Sequence, residues 1–192
     1  MAFLKNSSFL LLVIVATPSL AGAVWDLDSD FRSDQGNPHG AWSYGYKHDV
    51  VGSLTVFPDS GSDANWDWWH DNANLTLGAP SVARNKSTST INGIEPNEVS
   101  LHPGPATEIT YVRWVAPGAG TYRVFGQFDA GDGGAVDLFI YHNGDARVTE
   151  FGTFADRAFD FDVTANSGDS VDFMVGKAGS FFYDSTPLHA TV

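Results

Sequence analysis

A period-2 alternation of apolar and polar side chains constrains the fold of this chain more than any other feature. It is clearest in "AVDLFIYHNGDARVTEF". This stretch predicts strands over residues 136–141 and 146–151, joined across Asn143-Gly144, the dipeptide most typical of a two-residue hairpin turn. "RAFDFDV" and "DSVDFMVG" continue the pattern and direct alternate apolar residues to one face: Phe159, Phe161, Val163, Val171, Phe173 and Val175.

Other segments with the same alternation predict further strands, and helix signals are nearly absent. These segments are "AWSYGY", "GSLTVF", "EVSLH", "ITYVRWV", "TYRVFGQFD" and "PLHATV". The count comes to roughly ten short strands separated by turn residues, with little or no helix after the leader. The predicted fold class is therefore all-β: an antiparallel β-sandwich of the jelly-roll type. In "AWSYGY", Trp42, Tyr44 and Tyr46 share one face and are expected in the core.

Two acidic or polar stretches have ordinary interpretations. "WDLDSDF" is predicted to be a strand with a solvated acidic face. Counted as an EF-hand loop from Asp26, it has Phe31 and Asn37 where glycine and a bidentate acid are required. Residues 58–98 are polar and are expected to be loop-like and the least ordered part of the chain.

The first 23 residues have the features of a secretory signal peptide. Lys5 is followed by an apolar run too short to span a bilayer and by a small-residue site after Ala23. The prediction is one exported domain, residues 24–192, that is extracellular or periplasmic and does not insert into a membrane after cleavage.

Charge and cysteine content exclude several classes of function. The formal net charge is −13 at pH 7, and removal of Lys5 makes it one unit more negative. Such a surface repels nucleic acid and anionic membranes. The chain has no cysteine, which excludes thiolate zinc sites, cysteine nucleophiles and disulfides. Neutral ligands and cations remain as candidate partners.

The stretch "NWDWWH" (residues 65–70) contains half of the six tryptophans. In an extended segment, Trp66 and Trp68 face one way and Trp69 faces the other, so either the pair or the single ring is exposed. Exposed rings form an apolar platform on which sugar rings stack, with a polar fringe to bind hydroxyl groups. The predicted ligand-binding residues are Trp66, Trp68, Trp69, Asp67, His70 and Asn72. The alternative is that the rings form a structural lid at one end of the sandwich.

The glycine-rich stretch "DAGDGG" (residues 129–134) is the candidate cation site. Its glycines allow backbone carbonyls to turn inward beside Asp129 and Asp132, and hard cations such as calcium require many oxygen ligands. The alternative is a plain loop between two strands. Asp184 in "YDST" is interpreted as a turn cap.

The sequence offers little support for catalysis. The six histidines are scattered, and neither HExxH nor GxSxG occurs. Carboxylates are plentiful, but a compact sandwich of this size rarely forms a deep cleft around a catalytic pair. The chain is therefore expected not to be an enzyme.

Five stretches together resemble a family of secreted bacterial jelly-roll domains found in exosortase-associated (PEP-CTERM) exported proteins. They are "NPHGAWSYGY", "LHPG", "VRWVAPGAGTYRVFGQF", "GDSVDFMVG" and "YDSTPLHATV". The resemblance implies a jelly roll similar to carbohydrate-binding modules. This chain ends at Val192 without the Pro-Glu-Pro sorting tail, so release or non-covalent retention is expected.

Three functional hypotheses follow from the sequence. The leading one is a secreted, non-catalytic protein that binds a glycan or serves in the extracellular matrix or surface layer. The second is a structural protein that associates with copies of itself. The third is a hydrolase that acts on polysaccharide.

Overall fold

The computed structural model describes residues 22–154 and 156–192. Within these residues the chain forms one short helix, α1 (Leu27–Asp30), and thirteen strands. The strands are β1 (Trp42–Lys47), β2 (Thr55–Val56), β3 (Asp59–Ser62), β4 (Trp66–His70), β5 (Ser81–Asn85), β6 (Val99–His102), β7 (Ile109–Val115), β8 (Gly120–Phe128), β9 (Val136–His142), β10 (Asp145–Thr153), β11 (Arg157–Ala165), β12 (Ser170–Lys177) and β13 (Thr186–Thr191).

The strands form two antiparallel sheets that pack face to face. One has six strands in the order β10-β9-β12-β7-β1-β2, and the other has seven in the order β11-β8-β13-β6-β5-β4-β3. The predicted fold class, an all-β antiparallel sandwich, is confirmed. The predicted hairpin is also present as β9 and β10, with Asn143 and Gly144 at φ 51° and 88° in its turn.

Aromatic and branched side chains from both sheets fill the space between them. Trp42, Tyr44 and Tyr46 of β1 are buried, as the alternation of that strand predicts. Phe159 of β11 and Phe173 of β12 come from opposite sheets, and their ring centroids are 5.5 Å apart. Burial of such large apolar side chains is the main stabilising contribution in a fold that has no disulfide.

The outer face of the six-stranded sheet is also covered. Tyr111, Phe139 and Met174 form a second buried cluster there, against which Val50 and Leu54 pack. Beside this cluster Lys47 and Arg113 form ion pairs with the buried carboxylate of Asp172, at 2.9 and 2.5 Å. On the seven-stranded sheet, several residues along β8 and β11 remain exposed.

Two local predictions are wrong. The segment around Asp28 forms one turn of helix instead of a strand, because the Asp26 side chain accepts a hydrogen bond from Ser29 N and caps the helix. Residues 58–98 are not a loop region: they contain β3, β4 and β5, which hydrogen-bond in register. The polar residues that suggested a loop lie on exposed edges and in tight turns.

The predicted signal peptide lies almost wholly outside the described residues. In the part of the chain that the structure describes, no helix is long and apolar enough to cross a membrane.

Candidate functional site

Strand β4 divides the tryptophan cluster between two faces. Trp69 points into the sandwich, where it is 4% exposed. Its Nε1 donates a hydrogen bond to the carbonyl of Arg32 at 2.7 Å, and its ring stacks on Tyr44 with centroids 6.5 Å apart. Trp66 and Trp68 are partly exposed on the outer face. Of the two arrangements that the alternation allows, the structure has the pair outside and the single ring in the core.

Asp67 shares the inward side of β4 with Trp69 and is already paired. Its carboxylate accepts hydrogen bonds from Ser62 Oγ at 2.7 Å and Arg84 Nη2 at 2.8 Å, and Lys86 lies 3.3 Å away. Burial acts to raise the pKa of Asp67, but these partners outweigh it and hold the pKa below its ordinary value. Asp67 therefore holds neighbouring strands together and faces away from the exposed rings.

The partly exposed indole of Trp68 lies over the edge strand β3. Trp68 pairs with Gly61, and a Cβ atom at Gly61 would overlap the Trp68 ring. Only glycine leaves room for this orientation. On its other side, Trp68 is in register with Ala83 of β5, which is in register with Ser100 of β6. These small side chains form a low floor beside the ring.

A second row of outward-facing residues runs parallel to the first. His70 is in register with Ser81, which is in register with His102. Burial lowers the pKa of both histidines below the ordinary value of 6.5. Both imidazoles are therefore neutral at pH 7. His102 Nδ1 donates to the carbonyl of Pro103 at 2.9 Å, which leaves its Nε2 as an acceptor for a ligand.

Two tight turns rise beside this floor. In turn 76–79, Thr76 and Ala79 exchange backbone hydrogen bonds of 2.8 and 3.0 Å, and in turn 91–94, Ile91 and Ile94 do so at 3.0 Å. Leu77 lies at the tip of the first turn with φ 52°, and it is 82% exposed. A bulky residue in the left-handed region is unfavourable and is found mostly where function requires it.

Together the rows and turns enclose a cleft of about 360 Å³ on the outer face of the seven-stranded sheet. Its lining is Asp63, Trp66, Trp68, His70, Leu75, Leu77, Gly78, Ser81, Ala83, Asn92, Ile94, Ser100, His102 and Ser185. Aromatic and aliphatic surface alternates with hydroxyl, imidazole and amide groups. Asp63 has the single carboxylate of this lining. Its Oδ1 accepts hydrogen bonds from the backbone N–H groups of Asn65 and Trp66.

The structure thus brings three of the six predicted ligand residues to one cleft: Trp66, Trp68 and His70. Asn72 is exposed next to His70, and its backbone N–H donates to Asp59 at 2.9 Å. Sequence reasoning missed the contributions of Ser100 and His102. The Asn92-Gly93 dipeptide was a local signal for the turn that forms one wall.

The two predicted cation ligands, Asp129 and Asp132, point to different places. Asp129 joins a cluster around His189, whose Nε2 is 3.2 Å from Asp129 Oδ2 and 3.0 Å from Glu98 Oε1. His189 Nδ1 is 2.7 Å from Asp28 Oδ2. The hydrogen bond to Asp28 is the largest of the effects that raise the pKa of His189 to about 9, so at pH 7 an imidazolium bridges three carboxylates.

Glu98, Asp129 and His189 also have the chemistry and spacing of metal ligands, since one ligand atom from each lies within 4.8 Å of the others. Asp132 instead accepts hydrogen bonds from the backbone N–H and the hydroxyl of Ser185, at 2.9 and 3.1 Å. The two aspartates of "DAGDGG" therefore have different partners, His189 for Asp129 and Ser185 for Asp132.

Comparisons with known proteins give weak structural similarity only. No protein family model and no curated protein matches the chain. A family 35 carbohydrate-binding module from Paenibacillus barcinonensis is 13% identical, with a TM-score of 0.30 over 89% of this chain and 97% of the module. The family 35 module from Clostridium thermocellum is 18% identical, with a TM-score of 0.29 over 66% and 86%.

A β-glucosidase from Kluyveromyces marxianus in complex with glucose is 11% identical, with a TM-score of 0.31 over 86% of this chain and 18% of the enzyme. Such low scores carry no conclusion about what this chain binds. The resemblance to exosortase-associated exported proteins stays a prediction from sequence motifs.

Proposed function

We propose that this chain is a secreted, non-catalytic protein that binds a neutral glycan in the cleft on the outer face of the seven-stranded sheet. The observation that carries the proposal is the partly exposed ring of Trp68, which lies over Gly61 beside a floor of small residues. The C–H faces of a pyranose ring are apolar and flat. They suit an aromatic face that is open on one side.

The polar groups of the cleft support an uncharged ligand. His70 and His102 are neutral at pH 7 because burial lowers the pKa of each. Together with the hydroxyls of Ser81 and Ser100, they can exchange hydrogen bonds with sugar hydroxyls without a net charge. The formal charge of −13 on the whole chain adds a field that disfavours anionic glycans.

The size of the cleft supports weak binding. A cavity of about 360 Å³ lies at the small end of the range for ligand sites. One aromatic platform buries little area, so we expect a dissociation constant on the order of micromolar to millimolar. Such affinity suits a module that contacts one segment of a long polysaccharide.

The other hypotheses have less support. In most glycoside hydrolases, two carboxyl groups face each other across the glycosidic bond that is cleaved. The described lining of this cleft includes only that of Asp63, which caps a turn. Self-assembly through strand pairing is disfavoured at β10, the edge of the six-stranded sheet. Two register shifts interrupt the pairing of β10 with β9, and such irregularities blunt an edge.

The test is binding of the purified protein to a neutral glycan array, followed by titration of the strongest ligand with tryptophan fluorescence. Trp68→Ala should weaken binding about fivefold to tenfold, because one aromatic stack contributes on the order of 1 kcal/mol. Phe151→Ala is the matched control. Phe151 is 73% exposed but lies on β10 of the other sheet.

Loss of binding in Trp68→Ala with full binding in Phe151→Ala would support the cleft. An array without binding above background would refute glycan binding and would favour self-assembly. In that case, light scattering at increasing protein concentration should detect oligomers. Equal losses in both variants would place the site outside the cleft.

A further inference from the structure

The side chain of Asp184 is buried. It lies in the segment between β12 and β13 and is 1% exposed. Among the residues that the structure describes, neither of its carboxylate oxygens has a hydrogen-bond partner. The side chain therefore does not cap a turn, contrary to the sequence interpretation. An isolated carboxylate in such a position is strongly unfavourable unless a proton or a cation compensates its charge.

Nearby charges make the position still less favourable for an anion. Burial, followed by the charges of Asp132 and Asp137, raises the pKa of Asp184 to about 7, and Lys177 opposes this effect. The Lys177 ammonium is committed elsewhere, since it donates a hydrogen bond to the carbonyl of Pro105. Three carboxylates thus share this end of the sandwich with one lysine that is bonded to another group.

The loop between β8 and β9 is fitted closely around the Asp184 carboxylate. A Cβ atom at Gly134 would overlap Asp184 Oδ1 and the carbonyl oxygen of Tyr183. The N–H of Gly134 donates to that carbonyl at 2.5 Å and leaves the carboxylate without a donor. The nearest backbone N–H of this loop therefore serves the Tyr183 carbonyl and does not serve the Asp184 carboxylate.

Asp132 is held next to Asp184 in the fold, because it is hydrogen-bonded to Ser185, the following residue. Its two oxygens accept one hydrogen bond each, from Ser185 N and Oγ. Each carboxylate oxygen has about two lone pairs, so one remains on each for a metal. Asp184 also borders an open cavity of about 510 Å³, lined by residues that include Gly134, Ala135 and Tyr183, through which water and ions can enter.

We propose that Asp184 and Asp132 are ligands of a divalent cation of the calcium class, bound where the β8–β9 loop meets the segment before β13. Carboxylate and carbonyl oxygens select hard cations over zinc or copper. Calcium accepts six to eight oxygens in irregular geometry, so loop carbonyls and water can complete its shell, whereas magnesium requires near-ideal octahedral geometry. The site differs from the cluster of Glu98, Asp129 and His189.

The proposal does not depend on glycan binding, and its test uses the protein without any sugar. The melting temperature of the purified protein is measured in EDTA and in calcium up to about 10 mM, above the weak limit of extracellular calcium modules. A calcium concentration about 100 times the dissociation constant should raise the melting temperature by about 5–10 °C. An equal concentration of magnesium should give a smaller shift.

Two isosteric variants locate the site. Asp184→Asn should lose the calcium-dependent shift and, in EDTA, should melt at the same temperature as the original protein or higher, because an unpaired buried charge is removed. Asp129→Asn should keep the calcium-dependent shift. No shift in the original protein, or an unchanged shift in Asp184→Asn, would overturn the proposal. Loss of the shift in Asp129→Asn alone would assign the cation to the His189 cluster and would equally overturn it.

A spectroscopic measurement covers the case in which Asp184→Asn does not fold. Terbium replaces calcium in oxygen sites and emits when a neighbouring aromatic ring is excited, and Tyr183 adjoins Asp184. We expect one terbium per chain, displaced by calcium, and binding at least about tenfold weaker in Asp132→Asn. Terbium binding that Asp132→Asn leaves unchanged would refute the site.

Discussion

The His189 cluster gives the protein a stability that depends on pH. Contact with Asp28 first, and then with Glu98 and Asp129, raises the pKa of His189 from 6.5 to about 9 in the folded state. The folded protein therefore holds this proton more tightly than the unfolded chain does. The stabilisation is complete below about pH 6.5 and is lost as the pH rises through about 9.

The magnitude follows from the size of the pKa change. At about 1.36 kcal/mol per pKa unit, the rise corresponds to an upper limit of about 3.4 kcal/mol. The His189 side chain is 38% exposed, so solvent screens its ion pairs. We therefore expect the free energy of unfolding to fall by about 1–2 kcal/mol as the pH rises from about 6.5 through about 9.

Urea unfolding followed by tryptophan fluorescence between about pH 7.5 and 9.5 measures this loss. The window begins above the pKa of about 7 for Asp184, because the contribution of Asp184 to folding stability is lost as the pH rises to that value. The window ends below the ordinary tyrosine pKa of about 10. His189→Gln keeps a polar side chain but cannot carry the proton, so its stability should change little over the window. An equal slope in both proteins, or a stability that rises with pH in the original one, would refute the assignment.

Two substitutions test the division of β4 and the turn beside the cleft. Trp69→Ala should lower the free energy of unfolding by about 3–5 kcal/mol in urea titrations, because it removes a core ring and its hydrogen bond to Arg32; a loss below 1 kcal/mol would contradict the inward placement. Leu77→Asn should raise stability by about 0.5–1 kcal/mol, since asparagine tolerates φ 52° better than leucine, and should weaken glycan binding if Leu77 contacts the ligand. A destabilised Leu77→Asn variant would show that the leucine packs in the fold.

Local patterns predicted those parts of the fold that depend on neighbouring residues. The hairpin of β9 and β10 could be predicted from the alternation of its strands and from Asn143-Gly144 in its turn, and both signals lie within one short segment. The opposite orientation of Trp68 and Trp69 could be predicted from the two-residue period of a strand alone. The short helix was missed although its signal was local as well: Asp26 caps Ser29 N, and capping prevailed over an alternating pattern.

The cleft depends on pairings that no local pattern contains. Trp68 acquires its floor because β5 and β6 place Ala83 and Ser100 beside it, in a register that is set by the whole sheet. The same long-range packing buries both faces of β12, so that Asp172 requires Lys47 and Arg113 as partners. Alternation alone would leave that aspartate in solvent.

The same limit applies to the predicted cation ligands, which stay a prediction. Asp129 and Asp132 are three residues apart, and glycine-rich spacing suggested one shared site. The β8–β9 loop instead turns them toward different partners, His189 for the first and Ser185 for the second. Asp184, which we propose as a ligand together with Asp132, is 52 positions away in the chain. A buried carboxylate without a donor can be recognised only after packing has placed it, because its spacing in the sequence is that of an ordinary turn.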